Sequence, residues 1–191
     1  MAHQIWKPGT MIYPLPAALI SCGAQEDEYN LLTVSWLGTI CTDPAMCYIS
    51  VRPGRHSYKI IEKNGAFVIN LTTEAMAKAV DWCGVRSGVD YNKWQEAGLT
   101  PVASENIAAP YVKESPLCIE CTVDKIVKLG THDMFIAKVG ALLADDKYID
   151  PKTGKFQLEK AKLLAYSHGH YYTLGKEIGK FGWSVEKRRN K

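Results

Sequence analysis

Short runs of alternating apolar and polar residues, each cut off by glycine, proline, asparagine or aspartate, dominate this chain and restrict it to a β-rich fold. The runs cover residues 17–22, 32–37, 46–52, 66–71, 117–127 and 133–144. In the third, Cys47, Ile49 and Val51 share one face while Tyr48, Ser50 and Arg52 share the other. One face suits a core, and the other is free to meet something polar. Helical spacing is confined to three short segments. Thr73 is a candidate N-cap for a helix that Gly84 ends, Ser57 for one over residues 58–64 that Gly65 ends, and the third spans residues 92–97 before Gly98. Many strands with few inserted helices predict a mainly β barrel or sandwich.

At 191 residues and 47% hydrophobic content, the chain can bury a core without disulfides or metal, and neither a repeat nor a linker divides it. A single domain over 1–191 is expected. The formal charge of +3 is small and dispersed, which argues against a nucleic-acid partner. The one dense basic run, KRRNK at 187–191, reads as a solvated tail. No apolar run reaches the roughly 18 residues of a membrane span. LISC at 19–22 mimics a lipoprotein cleavage box, but Pro14 and Pro16 interrupt the apolar stretch before it and a strand fits better. The six cysteines are then expected as thiols in a reducing cytoplasm.

The stretch VRPGRHSY (51–58) runs from a strand end through a Pro-Gly turn to a helix start. It gathers Arg52, Arg55, His56 and Ser57 where a helix offers free N–H groups, so it is either an anion cradle or an ordinary surface turn with solvated arginines. Upstream, NLLTVSWLGTICTDP (30–44) sets Thr33, Ser35 and Trp36 on a strand, with Thr39 beyond it. Such a tryptophan flanks a flat aromatic ligand or fills a core. Downstream, Arg86, Ser87, Lys93 and Trp94 lie around glycine turns; Lys93 either meets an anion or is solvated. His168 and His170 have metal-ligand spacing, but no second cluster accompanies them and Gly169 marks a turn, so no metal is expected. Cys118 and Cys121 are three apart on an alternating strand, hence on opposite faces, with Cys121 in the core. With no triad or carboxylate pair in sight, a bound cofactor is the natural carrier of any chemistry.

The succession NLLTVSWLGTICTDP, YISVRPGRHSY, GAFVINL, DWCGVRSGVDYNKWQEAGLT, LGTHDMF and AKLLAYSHGHYYTLGK resembles the flavin reductase-like, FMN-binding split-barrel family, and within it the flavoredoxin group. The resemblance implies a six-stranded split β-barrel with short peripheral helices, dimerising with non-covalent FMN near the dimer interface. It implies that Asn30, Thr33, Val34, Ser35, Trp36 and Thr39 surround the isoalloxazine ring, with Ser50, Val51 and Arg52 approaching along the strand end. Arg55, His56 and Ser57 would serve the phosphate, although His56 stands where relatives carry an aromatic residue. Ser87 and Lys93 would assist on the charged side. His132 and Tyr166 would face the exposed side of the flavin, from the same or the partner subunit. The chemistry would lie on FMN, with His132 the single candidate for a catalytic side chain. The implied activity is an oxidoreductase using NADH or NADPH to reduce flavin or a small acceptor. An electron carrier with a protein redox partner is the alternative, and a non-enzymatic phosphate-ligand binding module is the reading from another class.

Overall fold

The structure, a computed structural model, describes residues 2–185. The run KRRNK therefore lies outside the described residues. The strands and helices in chain order are β1 (Leu15–Pro16), β2 (Ala18–Cys22), β3 (Asn30–Val34), β4 (Leu37–Cys41), β5 (Met46–Val51), α1 (His56–Asn64), β6 (Ala66–Leu71), α2 (Ala77–Val85), α3 (Lys93–Ala97), β7 (Pro101–Ala103), β8 (Pro110–Val112), β9 (Leu117–Lys128), β10 (Asp133–Ala144), β11 (Leu164–Ser167) and β12 (His170–Thr173).

Seven strands make the main antiparallel sheet, in the order β3-β2-β6-β9-β10-β5-β4. Its two outermost strands, β3 and β4, are consecutive in the chain and joined only by Ser35 and Trp36. A sheet whose ends are tied so closely must curl until they meet, and the Ser50 N–H donates to the Trp36 carbonyl at 2.8 Å, carrying the β4–β5 ladder into the bend. The result is the expected split barrel with one strand more than the six. The run 32–37 is two strands with a bend at Ser35–Trp36, so Trp36 sits at a corner rather than within a strand.

Period-2 alternation explains what fills the barrel. Cys47, Ile49 and Val51 of β5 point inward beside Ile20, Phe67, Ile69 and Phe135 in one buried cluster, as the alternation predicts. Each large side chain there contributes about 2–3 kcal/mol of burial. A second cluster lies outside the barrel, where Val80 and Cys83 of α2 and Trp94 of α3 pack on Leu19 and Leu31. Cys118 and Cys121 fall into different clusters, in keeping with opposite faces of β9.

Two helix boundaries differ from those read in the sequence. Helix α1 begins at His56 with Arg55 in the N-cap position and no side-chain cap; Ser57 lies in the first turn, buried, because its hydroxyl is held by another residue. Helix α2 follows a short 3-10 turn after Thr73 and runs through Gly84 to Val85. A Cβ at Gly84 would lie 3.2 Å from the Thr33 Cβ, so this glycine permits close approach of α2 to β3 rather than ending the helix. Helix α3 starts as read: the Asn92 side chain accepts from the Gln95 N–H at 3.2 Å, and Gly98 closes it in the left-handed conformation.

Candidate functional site: two adjoining cavities

Residues from β3, β5, the start of α1 and the 86–93 segment converge on two cavities that share Leu32 and Arg55. The larger, about 240 Å³, lies at the seam of the barrel. Thr33, Val34, Ser35 and Trp36 form one side of it, and Ser50, Val51, Arg52 and Arg55 another. His132 and Tyr166 complete the wall from this same chain. The Trp36 and His132 rings lie 4.4 Å apart between centroids at 45°, a paired aromatic edge suited to a flat ligand. Thr33 has less to offer than expected, since its hydroxyl donates to the Val80 carbonyl of α2 at 2.5 Å.

The smaller cavity, about 100 Å³, is lined by Asn30, Arg55, His56, Ser57, Ser87 and Lys93 among the residues expected from the sequence. Leu32, Gly54, Arg86 and Gly88 join them. Buried polar groups hold its floor. The Asn30 Nδ2 donates to the Ser57 Oγ at 2.7 Å, and the Lys93 Nζ donates to the carbonyls of Leu31 at 2.9 Å and Cys83 at 2.7 Å. Lys93 is 3% exposed, neither a solvated helical lysine nor a long arm reaching outward. Burial lowers its pKa, the Arg55 charge acts in the same direction, and the Cys83 and Cys22 thiols oppose both. An anion placed here would favour its charged form. At Gly88 a Cβ would fall 2.1 Å from the Asn30 Oδ1, so the backbone presses on Asn30 where only hydrogen fits.

Among the described residues no carboxylate lies within ion-pair distance of Arg52, Arg55 or Arg86. All three are exposed, so these guanidinium groups are solvated and available to an anionic ligand. The same field acts on His132: burial, then Arg52 and Arg55, hold its pKa below the ordinary value. Beneath the His132 turn, Asp133 is anchored by the Tyr58 hydroxyl at 2.7 Å and the Lys128 Nζ at 2.9 Å.

Thr39 does not join the group. It is exposed on β4 opposite Cys47 and lines neither cavity. Conversely, Leu32, Gly54 and Gly88 line the site without having been singled out. The glycine beside Ser87 was the one available signal, because a glycine between polar turn residues often marks close backbone approach. His168 lies in an exposed turn and His170 opens β12 just beyond it, and among the described residues no group of three or more metal-ligating side chains comes together. No described helix is long and apolar enough to cross a membrane.

FMN fits this donor set. The smaller cavity supplies cations, hydroxyls and the uncapped start of α1 for a phosphate, and the larger supplies a flat slot walled by Trp36 and His132, on either side of Arg55. Comparison with known proteins points to a flavin. The fold is similar to that of flavoredoxin of Desulfovibrio vulgaris (Miyazaki F), with a TM-score of 0.88 and 26% identity over 97% of this chain and all of that one. An uncharacterized protein of Archaeoglobus fulgidus is 29% identical over 162 residues, 85% of this chain and 89% of that protein. The NADH-dependent flavin reductase StyB of Pseudomonas fluorescens is 22% identical over 136 residues, 71% of this chain and 75% of that enzyme. Residues 10–175 match the flavin reductase like domain as a family, and the chain belongs to the flavin reductase-like family.

Proposed function

We propose that the chain holds FMN non-covalently across the two cavities and works as an FMN-dependent oxidoreductase, drawing on NADH or NADPH to reduce flavin or a small acceptor. The observation that carries this is the junction at Arg55, where a basic pocket over the start of α1 adjoins an aromatic slot. FMN, when bound, supplies a ring system that exchanges electrons with a nicotinamide or with a protein redox centre. The chain's own residues bind and orient. Arg55, Arg86 and Ser57 take the phosphate, while Lys93 stiffens the floor through its two carbonyl bonds. Trp36 and His132 set the plane of the ring, and Arg52 places a positive charge beside it. His132 is the one side chain at the mouth able to accept or donate a proton near neutral pH.

The likeness to a flavoredoxin favours a second reading, an electron carrier fed by a protein partner. We also propose a homodimer. Ile5, Trp6 and Ile12 near one end of the chain and Ile178, Phe181 and Trp183 near the other are exposed, which is costly for large apolar groups without a covering surface. Six free cysteines, five of them buried, support a reducing cytoplasm.

Anaerobic mixing with NADH or NADPH tests the function. Bleaching of protein-bound flavin within seconds is the expected outcome. Flavin that stays oxidised until a reduced protein is added replaces the reductase with the carrier. A folded protein that takes up phosphate esters but no FMN returns the site to a simple phosphate-ligand module. Sedimentation that gives a monomer removes the dimer.

A further inference from the structure

We infer that the cleft just outside the phosphate pocket selects the mononucleotide FMN over a flavin dinucleotide, because its carboxylates repel a second phosphate; this rests on the flavin reading above. A cavity of about 580 Å³ opens beside the phosphate pocket and shares Asn30, His56 and Gly88 with it. That volume can house a nucleoside, so size alone does not turn away a dinucleotide. Charge does.

The sign of the lining reverses along one segment. Arg86 and Ser87 face the phosphate pocket, Gly88 borders both spaces, and Asp90 lines the outer cleft. Arg86 stands 5.5 Å over the Tyr91 ring at this border. The opposite wall is the 3-10 turn Glu26–Glu28. Glu28 is compensated: its carboxylate accepts from the Lys63 Nζ at 2.6 Å and from the Asn64 side chain and the Ala24 N–H, which together hold its pKa below the usual carboxylate value. Glu26, Asp27 and Asp90 are exposed and have no cation within ion-pair distance among the described residues. The other titratable groups on the lining are His56, Tyr29 and Tyr91, none of which carries a fixed positive charge at neutral pH.

A phosphate monoester carries close to two negative charges at neutral pH, whereas each phosphate of a dinucleotide carries one. FMN thus sets its whole charge among Arg55, Arg86 and Lys93. A dinucleotide leaves one charge there and moves the other across Gly88, toward three carboxylates that have no ion-pair partner among the described residues. Each of those repulsions is modest and screened by salt, but all three act in the same direction.

The test is a fluorescence-quenching titration of the flavin-free protein with FMN, FAD and riboflavin at low ionic strength, in wild type and in the triple variant Glu26→Gln, Asp27→Asn, Asp90→Asn. These exposed changes leave the phosphate contacts in place. Wild type is expected to prefer FMN over FAD. The variant should narrow that ratio by about tenfold, through a gain in FAD affinity with riboflavin unchanged. Added salt should narrow the ratio more in wild type than in the variant, where only the unequal attraction to the phosphate pocket is left to screen. Tight FMN binding with the same ratio in both proteins overturns the inference alone. So does weaker FAD binding by the variant, which would mean that the carboxylates hold the ribose hydroxyls of the adenosine. A wild-type protein folded by circular dichroism that takes up neither flavin overturns the flavin reading and this inference together.

Discussion

The Asn30 Nδ2 donates to the Ser57 Oγ at 2.7 Å, tying the first residue of β3 to the first turn of α1 across 27 positions of sequence. Both side chains are buried, and both line the smaller cavity. Since Asn30 uses the Ser57 oxygen as an acceptor, the Ser57 hydroxyl hydrogen is left for the neighbouring Cys22 sulfur or for an anion in the cavity.

Ser57→Ala removes that donor and leaves the Asn30 amide without its partner. The expected loss of FMN affinity is about 1.5–3 kcal/mol, the range for a hydrogen bond to a charged acceptor. Isothermal titration with FMN and riboflavin separates the two effects: the loss should be confined to FMN. An equal loss for riboflavin would move Ser57 from phosphate contact to general support of the fold.

Gly88→Ala should damage the same pocket from the other side. With a Cβ 2.1 Å from the Asn30 Oδ1, either the backbone or Asn30 has to move, and the Asn30–Ser57 bond is the first casualty. FMN affinity should fall by at least about tenfold, as for one lost charge-assisted bond. Gly175→Ala, with open space around its Cβ and in the lining of neither cavity, is the control, and equal affinities for the two variants would refute the close-approach argument.

Lys93→Met strands two buried carbonyls, those of Leu31 and Cys83. A destabilisation of about 2–4 kcal/mol follows from two unsatisfied acceptors, measurable by urea unfolding without any flavin. A stability change under 1 kcal/mol would show that water reaches those carbonyls and that Lys93 is not their essential partner.

His132 carries a pH prediction. Its folded pKa is depressed below the ordinary 6.5, first by burial and then by Arg52 and Arg55. The unfolded chain therefore binds the proton at higher pH than the folded one, so this group's contribution to stability is present above 6.5 and is lost as pH falls through the folded pKa. FMN phosphate near Arg55 offsets part of that positive field and should raise the His132 pKa. Proton NMR of the imidazole with and without FMN reads both; a pKa at or above 6.5 without ligand contradicts the geometry.

Much of the barrel was legible because burial on one face imposes alternation, as in Cys47, Ile49 and Val51. The bend that creates the seam was not. Ser35 and Trp36 carry no glycine or proline, and the alternation of Leu32, Val34 and Trp36 runs through them, failing only at Leu37 where the second strand begins. The short strands β7, β8, β11 and β12 have three or four residues each, too few for a period to register. Around the pocket, residue types suggested an anion, but the burial of Lys93 went against the usual exposure of lysine. The Asn30–Ser57 bond and the reversal of charge across Gly88 arise from contacts between distant segments that local pattern does not encode. Thr39 illustrates the converse: a hydroxyl close in sequence to the slot, carried away from it by β4.

The two cavities meet only at Leu32 and Arg55. With FMN placed as proposed, grip on the cofactor's tail and the surroundings of its reactive ring are written in nearly separate sets of residues. Substitutions along the 86–93 segment can loosen or tighten retention while leaving the electronic environment intact, and changes at Trp36 or His132 can retune reactivity without releasing the cofactor. Such a layout lets descendants of one scaffold diversify their redox partners while inheriting the same anchor.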